Sequence, residues 1–107
     1  MSDAKIRAIV KRPDEPYGHV CNISDRLEAL QRTVGGYIQA LTLDKDVVVL
    51  CDEEGRLKGQ TPNCSVCGIP FVGVIAAVGY KGEEFADLPI SMKDWKSNYL
   101  GGSYARE

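Results

Sequence analysis

The chain has 107 residues, 44% hydrophobic and 26% charged, with a formal net charge of −2 at pH 7. That length suits one domain with a core needing no disulfide or metal staples, and the composition is that of a globular chain. The slight acidic excess argues against a nucleic-acid partner, and no apolar run approaches the roughly 18 residues needed to span a bilayer.

"KIRAIVK" puts Ile6, Ala8 and Val10 on one face and Lys5, Arg7 and Lys11 on the other, with Ile9 the exception. That is the period of a half-buried strand. "RPDEPYG" breaks it, and "HVCNI" reads as a second strand returning as a hairpin. Ser24 then has the chemistry of a helix N-cap, with Asp25 in the first turn. Leu27, Leu30 and Val34 follow at i, i+3 and i+7, the apolar stripe of a short helix lying on a sheet. Gly35 and Gly36 end that run. A phosphate-cradling glycine loop precedes its helix, whereas these follow it, where a left-handed cap is wanted.

"YIQALTL" and "VVVLC" are joined by "DKD", a link suited to an antiparallel hairpin. The unbroken apolar run Val47 to Leu50 predicts a central strand covered on both faces. Gly55 closes the acidic "DEEG" turn, and "RLKGQTPN" fits an edge strand or a loop. "IPFVGVIAAVGY" predicts the last central strand, with Gly73 marking a bulge or a close backbone approach. In "SMKDWKSNYL", Ser91 and Asp94 form a cap ahead of Met92, Trp95 and Tyr99, the stripe of a short amphipathic helix. The fold class is therefore α+β: an antiparallel or mixed sheet of about five strands, one principal helix packed on it, and a short C-terminal helix. A single domain spans 1–107, with a core over about 5–90, a helix over about 91–100 and a frayed tail over 101–107.

Few residues suggest chemistry. "MSDAKIRAIVKRP" lacks the apolar core of a signal peptide, which points to the cytoplasm and to cysteines that are reduced thiols or metal ligands. Cys64 and Cys67 have the Cys-x-x-Cys-Gly shape of a zinc knuckle. The other two cysteines, Cys21 and Cys51, fall singly in separate strands, and His19 is the sole histidine. No cofactor is expected. Asp52, Glu53 and Glu54 are consecutive rather than spaced around a point, so they read as a solvated turn before a calcium or acid–base site. No nucleophile elbow or triad accompanies His19. Tyr17, Tyr37, Tyr80 and Asn63 are candidates for lining a small pocket, Glu53 and Glu54 join them as candidate ligand or partner contacts, and the face Lys5, Arg7 and Lys11 is the one basis for a nucleic-acid reading. An exposed sheet edge would make a homodimer easy.

The leucine-bearing helix with Leu27, Leu30 and Val34, then Gly35, Gly36, a strand, Glu53, Glu54, Gly55, Gly59, Asn63 and Gly73 in the last apolar strand together resemble a domain family of unknown function. The likeness covers roughly residues 5 to 90. That family occurs largely in bacteriophages and in plasmids or conjugative elements of Gram-positive bacteria, and it brings no catalytic residue to carry over. The chain departs from the family pattern in a short loop from Asn63 to Phe71 and in the Cys-x-x-Cys within it. The resemblance implies a small accessory protein of a mobile element that binds a host protein or small ligand without catalysis, with an anti-defence role as a refinement. The alternative is a zinc-stabilised interaction module built on Cys64 and Cys67.

Overall fold

The computed structural model describes residues 5–101. β1 (Lys5–Lys11) and β2 (His19–Ser24) form an antiparallel hairpin, with Lys5 opposite Ser24 and Val10 opposite His19. α1 (Leu27–Val34) follows, then β3 (Ile38–Asp44) and β4 (Val47–Asp52), paired antiparallel with a bulge between Thr42 and Asp44. β5 (Pro62–Val66) and β6 (Ile69–Val72) make a separate two-stranded sheet. β7 (Ile75–Lys81) and the short β8 (Glu84–Ala86) return to the main sheet. α2 (Met92–Asp94) runs directly into a π-helical turn, Trp95–Tyr99.

The main sheet has the order β2-β1-β7-β4-β3, with β8 alongside β7, and all its pairings are antiparallel. β7 comes late in the chain and fills the centre, pairing with β1 on one side and β4 on the other. Every residue of β4 is buried, as are Ile75 through Gly79 of β7. Such strands read as continuous apolar runs because both their faces are covered. Ile6, Ala8, Val10, Val48, Leu50, Ala76 and Val78 face α1, which seats Leu30 and Val34 on them. Ile9, Val47, Val49, Ile75 and Ala77 face the other way, under Val66 and Phe71 of the hairpin and under Leu88 and Trp95. Ile9, which breaks the alternation of β1, therefore serves the second buried face.

The fold is α+β, as expected: an antiparallel sheet with one principal helix packed on it and a short C-terminal helix. Among the described residues the main sheet has six strands, counting β8 beside β7, and the β5–β6 hairpin lies outside it. Several details of the sequence reading need correction. "IPFVGVIAAVGY" is two strands in two sheets. Gly73 turns the chain between them at φ 72°, and a Cβ there would lie 2.0 Å from Oε1 of Gln60. Ser24 ends β2 and does not cap the helix: its Oγ accepts from the Arg26 N–H at 3.1 Å, and the N-cap position is Arg26, without a side-chain cap. Ser91 does cap its helix, accepting from the Asp94 N–H at 3.0 Å. Trp95 is fully buried, donates Nε1–H to the Tyr17 carbonyl at 2.9 Å and stacks on Tyr99. The segment 99–101 then runs beside β5: Tyr99 C=O accepts from the Cys67 N–H at 2.7 Å, and Gly101 N–H donates to the Ser65 carbonyl. Residues 102–107 of the expected frayed tail lie outside the described residues. Among the described residues no helix is long and apolar enough to cross a membrane.

Candidate functional site

The glycines and the acidic turn converge at one end of the sheet. Gly35 ends α1 in the left-handed region (φ 90°), and the N–H groups of Gly35 and Gly36 both donate to the Gln31 carbonyl, at 2.8 and 3.0 Å. Helix carbonyls, not open N–H groups, face this loop, so it offers an anion nothing. Beneath Gly36 lies the Asp52 carboxylate, whose side chain is 1% exposed; a Cβ on Gly36 would sit 2.6 Å from it. Asp52 accepts from Lys58 Nζ and Gln60 Nε2, each at 2.8 Å, and from the Glu54 N–H at 2.9 Å. The Lys58 ammonium holds the Asp52 carboxyl below its ordinary pKa, and Asp52 in return raises that of Lys58. Oε1 of Gln60 is buried against Gly55 and Gly73 without a hydrogen-bond partner. Gly55 donates its N–H to the Asp52 carbonyl and accepts from the Gln60 N–H.

Asn63 is equally committed. Its Nδ2 donates to the carbonyls of Lys11 (2.9 Å) and Gly73 (2.7 Å), and its Oδ1 accepts from Lys11 Nζ at 2.5 Å. It ties the β5–β6 hairpin to the main sheet. Glu53 and Glu54 are exposed, so the three consecutive carboxylates point apart, one inward and two to solvent.

The three tyrosines do not share a pocket. Tyr17 sits in the β1–β2 loop with Lys96 Nζ 4.6 Å from its ring centroid. Tyr37 precedes β3 at the far edge of the sheet and is 69% exposed. Tyr80 packs edge-to-face on Phe85, with 5.8 Å between centroids. The basic face also dissolves. Lys11 is buried, and Arg7 donates Nη1–H to the carbonyls of Leu88 and Ile90, which leaves Lys5 exposed. Cys64 lies in β5, and Cys67 with Gly68 forms the two-residue turn to β6, both at positive φ (51° and 81°). That is the geometry of a type I′ hairpin turn. Burial pushes both thiols above their ordinary pKa. Among the described residues no three His, Cys, Asp or Glu side chains are grouped to hold a metal ion.

What the structure leaves open for recognition is the outer edge of β3. Tyr37 C=O accepts from the Glu53 N–H at 2.8 Å, and Gln39 and Leu41 lie opposite Cys51 and Val49 in the same register. Antiparallel ladders alternate, so Tyr37, Gln39 and Leu41 turn their backbone groups toward β4, while Ile38, Ala40 and Thr42 turn theirs outward. From Ile38 to Leu43 the strand carries no charge and no proline. On one face a groove of 490 Å³ runs between β3 and the hairpin, lined by Leu41, Leu57, Ile69, Pro70 and Phe71, with Glu53 and Arg56 at its rim. Leu57 is 87% exposed. On the other face a cup of 270 Å³ is formed by Ala40, Thr42, Val48, Tyr80 and Phe85. Of the residues singled out from sequence, Tyr37 and Glu53 stand at one end of this edge and Tyr80 beside it. Leu57 and the edge position of β3 were missed. The signal for them is an apolar residue inside a charged turn and a strand with no edge-protecting charge.

A second cleft, of 750 Å³, lies between α1 and the β1–β2 hairpin, with Lys5, Arg26, Glu28 and Arg32 on its walls. Its charges are mixed, and Glu28 approaches Arg26 at 3.9 Å.

No curated protein and no solved structure matches the chain. Residues 6–100 match the domain family described as "Domain of unknown function (DUF3846)", and the chain belongs to that family.

Proposed function

We propose that the protein is a non-enzymatic binding module that grips a protein partner by adding an extended segment of it to the free edge of β3. The observation that carries this is the uncharged edge of Ile38–Leu43 with apolar hollows on both of its faces. An added strand gains main-chain hydrogen bonds from Ile38, Ala40 and Thr42, and its alternate side chains drop into the groove and the cup. A protein suits this open, linear edge better than a small ligand, which prefers an enclosed pocket. The resemblance supplies the setting: an accessory protein of a mobile element acting on a host protein in the cytoplasm, with interference in host defence as one such role. The buried polar residues support a binding role indirectly, since Asp52, Gln60 and, from the family pattern, Asn63 spend their hydrogen bonds on holding the scaffold.

Photo-cross-linking in the host cell tests this. A cross-linker at Thr42 or Leu57 should trap a discrete protein adduct, while the same group at Asn22, on the opposite sheet edge, should not. Adducts from Asn22 alone, or the same background at all three positions, would remove β3 as the recognition edge.

A further inference from the structure

We infer that, absent a target, the β3 edge is occupied by a second copy of this chain, the two β3 strands pairing antiparallel about a two-fold axis through Ala40. The inference rests on β3 being a recognition edge and names its resident partner.

Such an edge asks for an uncharged strand with short or apolar side chains on both faces and one unpaired side of its own. β3 itself is such a strand: Ile38, Ala40 and Thr42 serve one face, Gln39, Leu41 and Leu43 the other, and its outer side is free. The regular stretch between Tyr37 and the bulge after Thr42 is Ile38–Thr42, and Ala40 is its centre. With Ala40 opposite Ala40 and Ile38 opposite Thr42, the outward backbone groups on one strand meet those on the other, so the ladder closes without a slip. Alanine at the axis leaves room for its counterpart. In this register the Leu41 side chains reach the hairpin-side grooves, close to the exposed Leu57.

In this register the β3–β4 turn of one protomer, Asp44-Lys45-Asp46, comes beside the Gly35–Tyr37 end of the other, where Glu53 is exposed, so charge at the ends does not select the pairing and the backbone register does. Because the interface is isologous, it closes at two copies and does not propagate through β3.

Mass measured by light scattering on a sizing column, over a range of protein concentrations, tests the inference. The wild-type chain should show twice the chain mass, and Ala40→Lys, which sets two lysines face to face at the axis, should halve it. Thr42→Pro serves as the second variant: it removes an outward N–H and leaves the bonds to β4 intact. Circular dichroism reports whether each variant is folded. Backbone amide exchange of the wild-type protein needs no variant, and Ala40 and Thr42 should exchange more slowly as concentration rises. A monomer at every concentration with unchanged exchange overturns the second-copy inference and leaves capture of a foreign strand standing. A dimer that survives both substitutions in folded protein places its interface elsewhere and equally overturns the inference. Failure of the recognition edge itself shows separately, as loss of the Thr42 and Leu57 cross-links.

Discussion

Asp52 shows how a polar residue can matter most when it meets no ligand. Its buried carboxylate draws Lys58, Gln60 and the Glu54 N–H onto one point and leaves space only for a glycine above it. Replacing it with alanine removes a buried acceptor of three hydrogen bonds, at a cost of about 1–3 kcal/mol. Urea denaturation of Asp52→Ala should show that loss at neutral pH, whereas Glu53→Ala and Glu54→Ala should stay within about 0.5 kcal/mol of wild type. The pH dependence follows from the depressed pKa of Asp52 in the folded state. The unfolded chain takes up this proton first, so the stabilisation is complete above the ordinary aspartate value, about 4, and is lost as pH falls through the lower folded value. In Asp52→Ala that part of the acid-side decline should vanish. In sequence, the run Asp52-Glu53-Glu54 looks like three equivalent acids. Burial separates them: Gly36, from the far end of α1, packs over Asp52, and Lys58 and Gln60 fold back to bond its carboxylate.

The elements read best where apolar periodicity was long. β1, α1, β4 and β7 were legible because a stripe or an unbroken run names the covered faces of each. The β5–β6 hairpin was not, since Pro62–Val66 is short and mixed and Ile69–Val72 adjoins a longer apolar run from which only Gly73 divides it. The Cys-x-x-Cys motif is ambiguous for a related reason. A Cys-Gly pair at a two-residue turn satisfies hairpin geometry as well as a metal knuckle does, and the sequence alone does not distinguish them. The C-terminal segment has more consequence than its length suggests. Trp95 fills the space between the hairpin and the sheet, and the residues after it pair with β5. Trp95→Ala should cost about 3–5 kcal/mol, read as a drop in the denaturant midpoint. A loss under about 1 kcal/mol would mean that the hairpin docks without it.

Taken as one object, the molecule places its two edges differently. Neither edge carries a Lys, Arg, Asp or Glu over Val20–Ser24 or Ile38–Leu43; β2 bears His19 paired with Glu15 at its start, whereas β3 lies between two hollows. Which strand lies at an edge is a property of topology: β7, late in the chain, inserts between β1 and β4 and so leaves β3 outside. That insertion is not written in the periodicity of β3, and so the candidate surface was invisible from sequence while its individual residues were in view. Asp52, Gln60 and Asn63 hold the frame, and the proposed recognition at β3 uses backbone and apolar side chains. The most direct measurement is residue-resolved amide exchange of the protein, alone and with the partner trapped by cross-linking. At a dilution where the chain alone is monomeric, Ile38, Ala40 and Thr42 should become protected on binding while β2 stays unchanged. Protection of β2, or of the cleft beside α1, with β3 still exchanging freely would contradict recognition at the β3 edge.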